Sequence, residues 1–280
     1  MSILIFTILI WFGSIIAGFL GSLTGLGGGI VIIPLLTIVF GVDIRYAIGA
    51  SLVSVIATSS GAAAAYVKEG FSNIRIGMFL EIATTVGALA GAFLALRLAT
   101  PVIAVIFGFV LMHSAFVSSR PRDESLCSSK PGRLATILKM NNVYPTAQGL
   151  KSYNVCSIPL GFGFMFVAGI VSGLLGIGSG AIKVLAMDQA MRLPFKVSTA
   201  TSNFMIGVTA AASAGIYLNK GYIDPGLTMP VMLGVLLGSS IGARQLFEAK
   251  TQKLRTVFSV VIFVLAIEML YSGFKGGILK

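Results

Sequence analysis

Apolar residues in this chain fall into long runs with short polar breaks between them. The runs lie at about 3–24, 28–41, 46–67, 75–98 and 101–119. A polar stretch from Arg120 to about Cys156 follows, and then further runs at about 157–175, 180–191, 197–218, 226–247 and 255–274. A helix of about twenty apolar residues crosses the roughly 30 Å hydrocarbon layer of a bilayer. The pattern therefore predicts an all-α polytopic membrane protein with five helical segments in each half. Residues 1–119 form a first membrane repeat, 120–156 a polar cytoplasmic loop, and 157–280 a second, inverted repeat. Segments 28–41 and 180–191 are too short to span comfortably. They occupy the same place in each half and are expected as broken or re-entrant helices behind glycine-rich turns.

The halves superpose without a gap at an offset of 151 residues. Gly18, Gly25, Gly27 and Gly29 fall on Gly169, Gly176, Gly178 and Gly180. Ser51, Thr58, Tyr66, Gly70, Gly87 and Gly91 fall on Ser202, Thr209, Tyr217, Gly221, Gly238 and Gly242. One register that holds glycines, hydroxyls and a tyrosine together marks an internal duplication. An odd number of segments per repeat sends the second half into the membrane from the opposite face. Inverted repeats of this kind build secondary transporters, with substrate near the midplane between them.

Composition sharpens the class. Hydrophobic residues make up 56% of the 280, charged residues only 10%, and mean hydropathy is +0.97. A soluble domain carries about 25% charged residues, so a soluble enzyme, a secreted disulfide scaffold and a disordered chain are excluded. The net charge of +11 would point to nucleic acid in a soluble protein, but here it reads as orientation and lipid-headgroup contact. The expected partners are the bilayer and a small anionic substrate, with no nucleic acid; the pattern sets no oligomeric state. Of twenty Lys and Arg, fourteen fall in loops on one side and five on the other. The basic side is expected to be cytoplasmic and both termini outside, in a prokaryotic cell membrane. Cys127 and Cys156 have no CxxC spacing and suggest neither a disulfide framework nor a metal site. No cofactor is expected.

Candidate chemistry gathers at the glycine-rich junctions, Gly25-x-Gly27-Gly28-Gly29 and Gly176-x-Gly178-Ser179-Gly180. Glycine runs interrupt helices, and unwound backbone at membrane depth is tolerated where protein buries it or where it lines a cavity. The short helix that follows begins with free N–H groups and the positive end of its dipole, which attract anions. Two such ends, entering from opposite faces, would meet around one small anion. Gly27, Gly28, Gly29, Gly178, Ser179 and Gly180 are accordingly the candidate backbone ligands. The competing reading is that the glycines only permit close helix packing.

The twentieth basic residue, Lys183, lies one turn into segment 180–191 among apolar neighbours, where a charge is a functional candidate by default. The alternative is a structural pair with Asp188. Its repeat counterpart is Ile32, so the site is expected to be asymmetric. Ser51, Ser202 and Asn203 are expected to complete the anion's hydrogen bonds. Asp188 and Glu81 are candidates for carrying a coupling proton. Leu134 to Met140 suggests an amphipathic helix on the headgroups.

The duplicated glycine motif, with Pro34 after its first copy, resembles the TauE/SafE sulfite exporter family over nearly the whole chain outside the central loop. That resemblance implies a permease for sulfite, sulfonates or related sulfur-containing anions. The second copy departs from the pattern, with Ser179 for the middle glycine and Leu185 in place of proline. The expected function is a secondary transporter, acting as an exporter by alternating access at a midplane site. An anion channel that filters through the same turns is the alternative. An enzyme is not expected, because convergent His, Cys or carboxylate groups are missing.

Overall fold

The computed structural model describes residues 3–24, 28–68, 70–119, 133–146, 149–245 and 251–275. Helix α1 runs Ile3–Thr24, and α2, Gly29–Pro34, continues directly into a π-helical turn, Leu35–Val39. Three long helices follow: α3 (Ile44–Lys68), α4 (Ile74–Arg97) and α5 (Thr100–Ser119). A short helix in the central loop, α6 (Arg133–Ile137), comes next. In the second half, α7 (Ile158–Leu175) precedes α8 (Gly180–Leu185), which again opens into a π-helical turn, Ala186–Ala190. Then come α9 (Phe195–Asn219), α10 (Pro225–Gln245) and α11 (Thr251–Lys275).

The element boundaries repeat at the spacing read from the sequence. Helices α2, its π turn and α3 map onto α8, its π turn and α9 residue for residue at an offset of 151. Both π turns occur although only the first follows a proline. Leu185 in place of Pro34 therefore leaves the geometry unchanged, and each turn closes with a matching bond, Val42 N to Leu36 O and Leu193 N to Met187 O, both 3.0 Å.

Among the described residues, four helices are long and apolar enough to cross a membrane: Leu4–Ser22, Ile74–Arg97, Ile158–Leu175 and Pro225–Gly242. These are the bulk of α1, α4, α7 and α10, and they pack in crossed pairs. The first helix of each half lies against the fourth of the other, α1 on α10 and α4 on α7. Backbone contact holds these pairs. A Cβ added at Gly87 or Gly91 of α4 would strike the carbonyls of Phe166 and Ile170 in α7, and one at Gly169 or Gly173 would strike Thr84 and Ala88 of α4. Gly238 and Gly242, the repeat counterparts of Gly87 and Gly91, press on Ile15 and Phe19 of α1 in the same way. These glycines serve packing: small residues let helix backbones approach where lipid offers no hydrophobic drive.

Helices α3 and α9 are the interior pair. They lie against each other, with α10 on α3 and α4 on α9. Each is 25 residues long, about 37 Å at 1.5 Å per residue, and rich in Ser, Thr and Ala. Their interior position explains a composition too polar for a lipid-facing span. The outer helices instead expose Phe12 and Ile16 of α1, Met78 and Ile82 of α4, and Phe263 and Val264 of α11. An apolar sheath of that extent needs an apolar solvent.

The central loop is more structured than the sequence suggests. Helix α6 stands at the expected place. It is followed by an antiparallel hairpin, β1 (Asn142–Thr146) and β2 (Gly149–Tyr153), pairing Asn142 with Tyr153 and Thr146 with Gly149. The all-α expectation misses this sheet. Tyr144, Tyr153 and Val155 join Ile76, Ile158, Met187 and Val197 in one apolar cluster, so the loop caps the end of the bundle formed by α4, α7 and α9. Asn73 fastens it. Its Oδ1 accepts from Ile76 N at the start of α4 (3.2 Å), and its Nδ2 donates to Met140 O (2.9 Å) and to the Tyr153 hydroxyl (2.8 Å). Burial pushes the Tyr153 phenol up to about 12, against the opposing pull of the Asn73 bond, so it stays protonated at neutral pH.

Cys156 is disulfide-bonded, against the expectation from spacing. The chain's other cysteine, Cys127, lies outside the described residues.

Candidate functional site

The two glycine junctions come together against α3. Ser51 of α3 donates to the carbonyl of Gly176 (2.7 Å). A Cβ at Gly29 would collide with Ser51 Oγ and lie 3.0 Å from that same Gly176 carbonyl. Gly29 of the first half and Gly176 of the second therefore share one hydroxyl. Gly25 and Gly27 lie outside the described residues, while a Cβ added at Gly28 would lie 3.2 Å from Thr58 Oγ1. On the second side, Gly176 and Gly178 have φ of +68° and +71°, conformations that favour glycine. Ser179 follows at φ +52°, and its hydroxyl donates to Ala168 O of α7 at 2.5 Å. That bond offsets the cost of a left-handed non-glycine residue and commits the Ser179 side chain to the fold. Gly28, its counterpart, is helical with φ −65°.

Helices α2 and α8 start at these junctions, and neither receives a side-chain cap from its N-cap residue. Ser202 of α9 donates to Gly180 O at a long 3.4 Å. Asn203, one residue on, is buried, and its Nδ2 has no hydrogen-bond partner. Its backbone carbonyl accepts from Ser59 of α3 (2.5 Å), tying the two interior helices.

One turn into α8, Lys183 is 0% exposed. Its Nζ donates to Thr209 Oγ1 of α9 (2.5 Å). Thr209 has two acceptors within reach, Glu81 Oε1 of α4 at 2.6 Å and Met205 O at 3.0 Å. The carboxylate is the nearer. Glu81, 8% exposed, also accepts from Thr85 (3.1 Å) through Oε1, while Oε2 is buried without a partner. The carboxylate whose charge acts on Lys183 is thus Glu81, on a helix of the other half, 102 positions away. Asp188 lies half-buried on the π turn beyond α8.

Sequence alone puts Lys183 and Glu81 in separate roles and leaves Thr209 outside the candidate site. The structure joins all three in one buried chain. The signal is faint: Thr209 is seven residues after Ser202, two helical turns, so both share the α9 face that meets α8. Thr58, the repeat counterpart of Thr209, bonds its own helix at Ser54 O (2.8 Å), an ordinary use of a membrane threonine. Among the described residues no group of three or more His, Cys, Asp or Glu is placed to hold a metal ion.

Apolar outer helices around a buried, charged interior define a multi-span membrane protein. The chain belongs to the family described as Sulfite exporter TauE/SafE, whose model matches residues 10–269; it is a family of membrane transporters. The chain is 27% identical over 276 residues to a Bacillus subtilis (strain 168) protein named "Probable membrane transporter protein YunE", covering 96% of this chain and 98% of that one. It is 26% identical to YdhB of the same organism, over 82% and 84% of the two chains. A third relative, MJ0441 of Methanocaldococcus jannaschii, is 23% identical over 91% of this chain and 92% of its own. YdhB and MJ0441 carry the same transporter description. No solved structure matches the chain.

Proposed function

We propose that this protein is a secondary transporter of a small sulfur-containing anion, such as sulfite or an organosulfonate. Two inverted repeats would rock about an anion site at the midplane, exposing it to each side of the membrane in turn. The observation that carries the reading is the Lys183 ammonium. It is fully buried and has three N–H donors, of which one is used, on Thr209. A buried cation with donors to spare, one turn from where the glycine junctions meet, suits an anion that arrives and leaves. Asn203 Nδ2 supplies further unspent donors, and Ser51 and Ser202 hold the junction backbones near it. The crossed packing of first and fourth helices fits a two-fold relation between the halves, which an odd number of segments per half turns into an inverted one.

The central loop is proposed to be cytoplasmic and both termini outside, in a prokaryotic cell membrane. Among the described residues, Arg75 and Lys196 lie at the end of the bundle that carries the loop. Arg75 reaches Lys139 O (3.1 Å), and Lys196 sits over the Phe71 ring at 5.8 Å. At the opposite end, Arg45 contacts Leu98 O (3.2 Å) and the Tyr222 hydroxyl (3.3 Å).

Purified protein in liposomes should move labelled sulfite, thiosulfate or methanesulfonate with saturable kinetics. Lys183→Met should lower that flux at least tenfold. Absence of all three fluxes in the unmodified protein would overturn the reading, and unsaturable flux with single-channel currents would replace it with a channel.

A further inference from the structure

The buried chain from Lys183 through Thr209 to Glu81 contains a feature that anion binding alone does not use. Glu81 belongs to the first half and Lys183 to the second, and Thr209 lies between them. Both charged groups are left incomplete: Lys183 makes one hydrogen bond with three donors, and Glu81 Oε2 makes none in a site shielded from solvent. A charge pair of this kind holds together because each member neutralises the other. The elements packed around it offer no substitute charge close by: α3, on α9, has Arg45 and Lys68 at its two ends, and α5, which touches α8, has only His113, an exposed side chain. Helix α7, packed along α4, carries no charged residue over Ile158–Leu175, and α9 carries only Lys196, more than three turns from Thr209. On α4 the other charges, Arg75 and Arg97, lie near its two ends, and beyond α8 the nearest is Asp188 on the π turn.

We propose that Glu81 carries a proton with the transported anion, and that competition for Lys183 couples the two. This rests on the anion reading above and adds its energetics. In the anion-free protein, Glu81 serves as an internal counter-anion for Lys183 through the Thr209 hydroxyl. An incoming monovalent anion takes the two free N–H donors of Lys183 and its charge. Glu81, now buried without a countercharge, takes one proton from the aqueous phase onto its unpartnered Oε2. The site holds zero net charge before, as Lys⁺ and Glu⁻, and zero after, as Lys⁺, anion⁻ and neutral GluH. Release reverses both steps: the proton leaves Glu81 as Lys183 returns to it. Anion and proton move the same way, and the gradients set the direction.

The test uses liposomes loaded with a pH-sensitive dye and two anions whose charge is constant through the neutral range, methanesulfonate and thiosulfate. In the unmodified protein, methanesulfonate entry should acidify the lumen at about one proton per anion, and an inward proton gradient should concentrate the label severalfold. Glu81→Gln keeps the shape and the hydrogen bonding to Thr209. It should retain anion exchange across the membrane while losing both acidification and concentration. Glu81→Asp, which keeps the carboxyl group, should restore proton movement in part. Anion flux without proton movement in the unmodified protein overturns the coupling alone. Proton-driven accumulation that survives in Glu81→Gln overturns Glu81 as the carrier. No flux of either anion in any variant removes the anion reading and the coupling with it.

Discussion

Thr209 is the residue on which the interior charges depend. Its single hydroxyl accepts from Lys183 and donates to Glu81, so its geometry fixes the separation of an ammonium and a carboxylate on two different halves. Thr209→Val would keep the shape and lose both bonds. Leaving buried polar groups unpaired costs about 1–3 kcal/mol, so a lower thermal midpoint and at least a tenfold drop in anion flux are expected. Thr209→Ser should recover most of both. A Val variant with unchanged flux would remove the bridge from any functional role. Lys183 is legible in the sequence because a lone charge among apolar residues is costly there. Its partner is not, since Glu81 and Thr209 reach it only through helix packing, and no local spacing encodes contact between α4, α8 and α9. Asn203 is legible as a donor, but that its Nδ2 has no hydrogen-bond partner is not.

At the scale of elements, the repeat is almost fully readable. Glycine and hydroxyl matches at an offset of 151 foretell boundaries that recur at that spacing, and both short segments are broken helices. The hairpin at 142–153 is hidden because its strands, NVYPT and GLKSY, bury little beyond Tyr144 and Tyr153 and show no apolar alternation within a stretch whose dominant signal is polarity. The glycines fix helix spacing as well as helix breaks. Gly173→Val would drive a side chain into Ala88 O of α4, at a cost near the upper end of overpacking, about 3 kcal/mol. Gly163→Ala on the same helix meets nothing within 4 Å and should be silent. Thermal unfolding in detergent would compare the two, and equal midpoints would contradict the close α4–α7 crossing.

For the whole molecule, the capped end and the bare end make orientation testable. In a protein freed of its native cysteines, Lys220→Cys should react with an impermeant maleimide on intact cells, and Lys151→Cys only after permeabilisation. The reverse pattern would invert the proposed topology. With the loop inside, the Cys156 disulfide should be found reduced in cells, because cytosolic thiols are kept so. The crossed pairing of first and fourth helices also bears on how the chain is made. Helix α1 finds its partner α10 only about 200 residues later in synthesis. At roughly 5–20 residues per second, that is a wait of about 10–40 s. Throughout it, the first half stands in the bilayer with its glycine-lined grooves unfilled. Biogenesis must therefore shelter a half-built bundle from neighbouring helices until its own second half arrives, and truncation after the central loop would leave a fragment in which α2 still packs on α1 and α3 but α1 and α4 lack their main partners.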